Sequence, residues 1–266
     1  MHDDAKLLGP QDPPVFRIDR PAGPSPFFLI SDHAGRAIPR SLDTLGMSAA
    51  DLGRHIAWDI GIAGLGALLS EQLNATSIVQ NYSRLVIDCN RPLDAHESIA
   101  KFSEDTPIPG NQDVTERQRH KRIEEVFQPY HTAIVNTLNE RDAIGQPTIL
   151  ISLHSFTPVY KGVARPWHAG VLYHRDPRLP HALLALLQAE PGLVVGDNEP
   201  YAVGDASDYG IPVYGEKRGL LHVEIEIRQD LIETADGQAL WAERLARMLP
   251  KAVDSISSAV ELAVKI

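Results

Sequence analysis

Phe27 to Ser31 is a short apolar run that breaks into the polar stretch Ser31-Asp32-His33-Ala34-Gly35, the pattern of a buried strand delivering the chain into a loop. Thr148 to Leu153 repeats the pattern and ends in His154-Ser155-Phe156. Between them, Ile56, Ile60, Leu65, Leu68, Leu69 and Leu73 recur near helical spacing, so His55 to Leu73 predicts a helix with Asp59 in its opening turn. Ser77 to Asp88 predicts a strand running into Cys89-Asn90-Arg91-Pro92. A polar, proline-containing loop follows through Asn111, and Val114 to Arg141 carries the mixed charge and apolar period of a long exposed helix.

The second half continues the alternation. Val171 to Tyr173 and Leu193 to Val195 predict short strands, separated by the leucine-rich helix Ala182 to Leu187. In Leu220 to Ile227 the pattern alternates, with Val223, Ile225 and Ile227 on one face and Glu224 and Glu226 on the other. A closing helix is expected from about Gln238 to Ala263. Strands alternating with helices predict a three-layer α/β fold whose central sheet is mixed but mostly parallel and flanked by helices. Residues 1 to 25, rich in proline and aspartate, are expected as an extended arm on the surface, with residues 26 to 266 as one α/β domain, since no linker divides them.

Composition narrows the function classes. A net charge of -10 with no Lys/Arg cluster argues against nucleic-acid and anionic-membrane partners, and requires any anionic ligand to be met by locally placed arginines. The single cysteine, Cys89, excludes an internal disulfide and any cysteine-rich metal site. Met1 to Arg20 lacks the apolar run of a signal peptide or a membrane span, so a cytoplasmic protein, monomeric or a small homo-oligomer, is expected.

Two histidines at equivalent strand ends are the sharpest chemical signal. If the strands run parallel, His33 and His154 reach the same sheet edge, and neutral imidazole is the commonest protein ligand for zinc. A third ligand would complete a catalytic site that keeps a position for water. Arg36 stands where a His-x-x-Glu pattern needs its acid, which leaves Asp59 as the candidate, although a helix cap would also explain it. Glu224 and Glu226 are carboxylates within an apolar strand, costly there unless paired or near a metal. An ion pair with Arg228, Arg165 or Arg84 would account for Glu224, whereas Glu226 suits proton transfer. Asn90 and Arg91 directly follow a strand and suit a carboxylate ligand, with Arg84 as a further contact, but Arg91 could equally pair with Asp94 or Asp88. Ser155 beside His154 is a weaker nucleophile candidate, because no Gly-x-Ser-x-Gly elbow occurs.

Four segments in order, Ser31-Asp32-His33-Ala34-Gly35-Arg36-Ala37-Ile38-Pro39, Ile87-Asp88-Cys89-Asn90-Arg91-Pro92, Ser152-Leu153-His154-Ser155-Phe156 and Glu224-Ile225-Glu226-Ile227-Arg228-Gln229-Asp230, resemble the signature segments of the N-formylglutamate amidohydrolase family. That family is similar in fold to zinc carboxypeptidases, aspartoacylases and cell-wall amidases. The resemblance implies one zinc ion on His33, Asp59 and His154, Glu226 as the catalytic acid/base, and Asn90-Arg91 holding a substrate carboxylate. It implies hydrolysis of N-formyl-L-glutamate to L-glutamate and formate; separately, Arg165 in the Gly162-Val163-Ala164-Arg165-Pro166 loop is expected as a second contact for a carboxylate or the oxyanion. The chain departs from the histidine-degradation enzymes at Asn198-Glu199-Pro200-Tyr201 and around Glu226-Ile227-Arg228-Gln229. A zinc amidase for another N-acyl amino acid or a cell-wall peptide, and a non-catalytic metal or anion-binding protein, stay open as alternatives.

Overall fold

A computed structural model describes the backbone of residues 6–264 and the side chains of residues 6–258. Seven strands form one sheet: β1 (Phe16–Asp19), β2 (Phe27–Ser31), β3 (Thr76–Gln80), β4 (Ile149–Phe156), β5 (Ala169–Leu172), β6 (Val195–Asp197) and β7 (Leu221–Arg228). Their spatial order is β1-β3-β2-β4-β7-β5-β6. The central four, β3, β2, β4 and β7, run parallel; β1 pairs antiparallel with β3, and β5 antiparallel with β7. The sheet is therefore mixed but mostly parallel, with helices on both faces.

Side-chain alternation sorts residues between two cores. Phe27 and Leu29 of β2, Ile151 and Leu153 of β4, and Val223, Ile225 and Ile227 of β7 pack under α1 (Ile62–Leu73), α4 (Arg178–Gln188) and α5 (Ala235–Val264). Phe28, Ile30 and Leu150 face the other way, against a π-helical turn (Ile123–Phe127) that follows α2 (Glu116–Arg122) and against α3 (Gln128–Ala143). His154, Glu224 and Glu226 share the parity of Leu150, so they rise on this second face. Covering both faces explains why the central strands read as continuous apolar runs.

Several boundaries differ from expectation for local reasons. The segment expected as a surface arm is tied down: β1 joins the sheet edge, Leu7 is buried, and the backbone N–H groups of Leu7 and Leu8 donate to Glu125 at 2.9 Å each. The first five residues of that arm lie outside the described residues. The helix expected from His55 begins at Ile62, because Gly61 adopts φ 86° and a Cβ there would meet the Ile232 carbonyl oxygen at 2.1 Å. Asp59 accordingly lies in an irregular turn ahead of α1. The strand expected to reach Asp88 stops at Gln80, and residues 81–88 fold into turns instead. The helix expected to be exposed buries Val126, Phe127, Tyr130, Ile134 and Leu138. Among the described residues no helix is long and apolar enough to cross a membrane.

Candidate functional site

Parallel pairing brings the C-terminal ends of β2, β4 and β7 to one edge, where open α/β sheets place their ligands. β2 hands the chain directly to Asp32 and His33, and His154 lies near the end of β4 beside its register neighbour Glu226. The two imidazole rings stand edge to face, centroids 4.9 Å apart and planes at 71°. Asp59 is anchored beneath them by its backbone N–H, which donates to the His33 carbonyl at 2.8 Å. Its Oδ2 accepts from the Ser155 N–H and lies 3.1 Å from His154 Nδ1 and 3.8 Å from His33 Nδ1. One ligand atom from each of His33, Asp59 and His154 falls within 4.8 Å of the others, and all three residues are buried.

Each imidazole is held from behind. His33 Nε2 is 2.6 Å from Asp88 Oδ1, and Arg84 donates to Asp88 Oδ2 at 2.7 and 3.2 Å. His154 Nε2 is 3.0 Å from Ser152 Oγ, with Asp32 at 3.7 Å and Glu224 at 3.8 Å. The Asp88 carboxylate behind Nε2 favours, for His33, the tautomer whose Nδ1 lone pair points forward, whereas His154 Nδ1 faces the acceptor Asp59 Oδ2. His33 Nδ1 is buried without a hydrogen-bond partner. The His33 Nδ1 lone pair and the Asp59 oxygen face each other with no donor between them, and His154 Nδ1 would release its proton to a cation held there, so the donor set fits a divalent metal.

The electrostatics agree with the geometry. Burial alone would raise Asp59, but hydrogen bonds and charge from His154 and His33 hold it below the usual carboxylate range. Burial is likewise outweighed at Asp88, which Arg84 and His33 hold well down. Desolvation would depress His154, yet Glu224, Asp32 and Asp59 push it well above the ordinary imidazole value. Nothing equivalent compensates the strand glutamates, so burial pushes Glu224 up to about 8 and Glu226 up to about 7. Glu226 Oε2 is buried and unpartnered at the wall of a cavity of about 620 Å³, onto which His33, Asp59 and His154 also open.

The sequence profile of the N-formylglutamate amidohydrolase family matches residues 25–233, most of the chain. The chain belongs to this family. As a member of the N-formylglutamate amidohydrolase family it is an amidohydrolase. The fold is similar to the crystal structure of a gene product of Agrobacterium tumefaciens, 36% identical, with a TM-score of 0.92 over 95% of this chain and 100% of that one. It is also similar in fold to N-formylglutamate amidohydrolase from Ralstonia eutropha JMP134, 20% identical, with a TM-score of 0.60 over 92% of this chain and 98% of that one. No protein of curated function matches it.

Within this family member, the other candidates are less free than their sequence suggested. The Arg84 guanidinium pairs with Asp88, lies 3.7 Å from Asp59 and lines the same cavity. Asn90 accepts from the N–H groups of Tyr209 and Gly210 and donates to Asp208. Arg91 faces Asp208 at 3.8 Å rather than Asp94. Arg165 is buried between Tyr160 and Tyr201, its guanidinium carbon 4.6 and 4.7 Å from the ring centroids, with one long hydrogen bond to the Thr157 carbonyl. The ion pair expected for Glu224 with an arginine is absent among the described residues: Arg228 donates instead to Asp230 and to backbone carbonyls, and the nearest cationic partner of Glu224 is His154. Ser155 Oγ donates to the Ile60 carbonyl, which removes it as a nucleophile candidate.

Sequence reasoning missed the bracing role of Asp88, which it weighed only as a partner for Arg91. The signal was present, since an acid two residues before Asn90-Arg91 sits where the chain returns toward His33. It also missed Asp208 and Tyr201, which come from a loop with no periodic pattern.

Proposed function

We propose that this amidohydrolase is zinc-dependent and cleaves the amide of a small anionic N-acyl amino acid, with N-formyl-L-glutamate, split to L-glutamate and formate, as the first candidate. The observation that carries the reading is the convergence of His33 Nδ1, His154 Nδ1 and Asp59 Oδ2 at the floor of one cavity, with the His33 nitrogen otherwise orphaned. These three residues would hold the ion, which supplies Lewis-acid chemistry by polarising an amide carbonyl and acidifying water.

The rest is carried by the chain. Glu226, raised by burial to about 7, exchanges a proton near neutral pH, so it takes one from the attacking water and gives one to the departing nitrogen. Asp88, gripped by Arg84, keeps His33 oriented. Asn90 and Arg91 receive the substrate's carboxylate, and Arg165, charged and stacked between two tyrosines, is a second anion contact. A cavity of about 620 Å³ has room for acyl groups larger than formyl, which favours another N-acyl amino acid as the second reading.

The test is a panel of N-formyl, N-acetyl and longer N-acyl amino acids offered to zinc-loaded enzyme. Release of formate with the highest kcat/KM for N-formyl-L-glutamate is expected. Turnover of a bulkier acyl group above formyl moves the assignment to the second reading, and no hydrolysis of any member defeats both.

A further inference from the structure

The carboxylate subsite assigned above already contains a carboxylate. Asp208, only 8% exposed, directs Oδ1 at the pair: Asn90 Nδ2 donates to it at 3.3 Å and Arg91 Nη1 lies 3.8 Å away. Its other oxygen is held by its own loop, accepting from the Gly204 N–H at 3.0 Å and the Ser207 hydroxyl at 2.6 Å. The Asn90 amide has no freedom to turn away, because its carbonyl accepts from Tyr209 and Gly210 at 3.0 and 2.9 Å and this leaves the NH₂ facing Asp208.

A ligand carboxylate reaching Arg91 therefore meets a like charge in place. Two carboxylates within a few ångströms repel, and a guanidinium makes its strongest contact when both forks grip one acid. The chain offers Asp208 somewhere to go. Its residue borders two cavities, the one containing His33 and His154 and a second of about 480 Å³ whose charged lining is Lys217 and Arg175 with Asp205 and Glu216.

We propose that Asp208 is a specificity-determining residue: an internal stand-in for the substrate's carboxylate at Asn90 and Arg91, which an incoming carboxylate must displace. This rests on the reading that Asn90 and Arg91 form the anion subsite. The displacement weakens binding of every carboxylate ligand, and it leaves a neutral ligand of the same shape unaffected, because that ligand does not ask for Arg91.

The experiment is calorimetric binding of glutarate, with neutral glutaramide as the control, to the full chain and to Asp208→Asn, Ser207→Ala and Arg91→Ala, each verified as folded by circular dichroism. Asp208→Asn is expected to bind glutarate about fivefold or more tightly with glutaramide unchanged. Ser207→Ala loosens the same loop while keeping the charge, and is expected within about twofold of the parent. Equal glutarate affinity in Asp208→Asn and the parent, weaker binding in the variant, or an equal gain in Ser207→Ala overturns the proposal. Arg91→Ala separates the two layers: if it loses glutarate while Asp208→Asn gains nothing, Asp208 alone is misassigned, whereas undiminished binding in Arg91→Ala removes the anion subsite itself.

Discussion

His131 is nearly as buried as His33 and His154, yet its surroundings are of another kind. Phe127, Tyr130, Tyr209 and Tyr214 enclose its ring, and its Nδ1 lies 2.6 Å from the Tyr214 hydroxyl. Burial pushes it down to about 4, so it is neutral in the folded protein. At the sheet edge Glu224, Asp32 and Asp59 together outweigh burial and reverse the direction of the shift at His154, whereas at His131 Asp32 acts against burial without overcoming it. Burial alone makes a core histidine. Carboxylates placed both behind and in front of the ring suit it to hold a metal ion.

The largest test of this contrast is a pair of alanine substitutions. His154→Ala is expected to abolish bound metal and hydrolysis together, while His131→Ala lowers thermal stability and retains about one metal per chain; metal loss in both variants would erase the distinction. Next in size, Glu226→Gln keeps the metal and loses about 10²- to 10⁴-fold in kcat, and a smaller loss in steady-state assays would remove Glu226 from proton transfer. Asp88→Asn leaves the three metal-facing groups in place and weakens the bracing of His33, so metal affinity should fall about 10- to 100-fold in a chelator competition.

How much of this was legible follows from the kind of signal. The central strands announce themselves because both faces are covered, and His33 and His154 stand where those strands run out. The Glu224/Glu226 alternation placed both acids on one face of β7, and the register with β4 sets Glu226 beside His154. Boundaries set by backbone conformation were not legible: Gly61 at φ 86° delays α1 and leaves Asp59 in a turn, a constraint imposed by the distant Ile232 carbonyl. Pairing partners chosen across long loops were hidden too. Arg91 turns to Asp208 because residues 81–111 fold back over the site, pinned by the buried Arg122 on the Val86 carbonyl and Asn111. No local pattern specifies that return.

An effect on stability alone, with the site untouched, concerns the core histidine. Its value falls from 6.5 in the unfolded chain to about 4 in the fold, so the unfolded state binds the extra proton between those limits and stability drops as pH falls through this window. The loss approaches about 3 kcal/mol at its acid end. Denaturant titrations at pH 7, 5.5 and 4.5 should show a flatter dependence for His131→Phe than for the parent, and parallel slopes would show that His131 is not held neutral.

The central claim is that three groups from distant parts of the chain converge on one metal ion. Elemental analysis of protein purified without chelator tests it directly: about one zinc per chain is expected, falling to background in His33→Ala and His154→Ala. A folded parent protein that takes up no divalent metal, even when dialysed against excess zinc, would contradict the account.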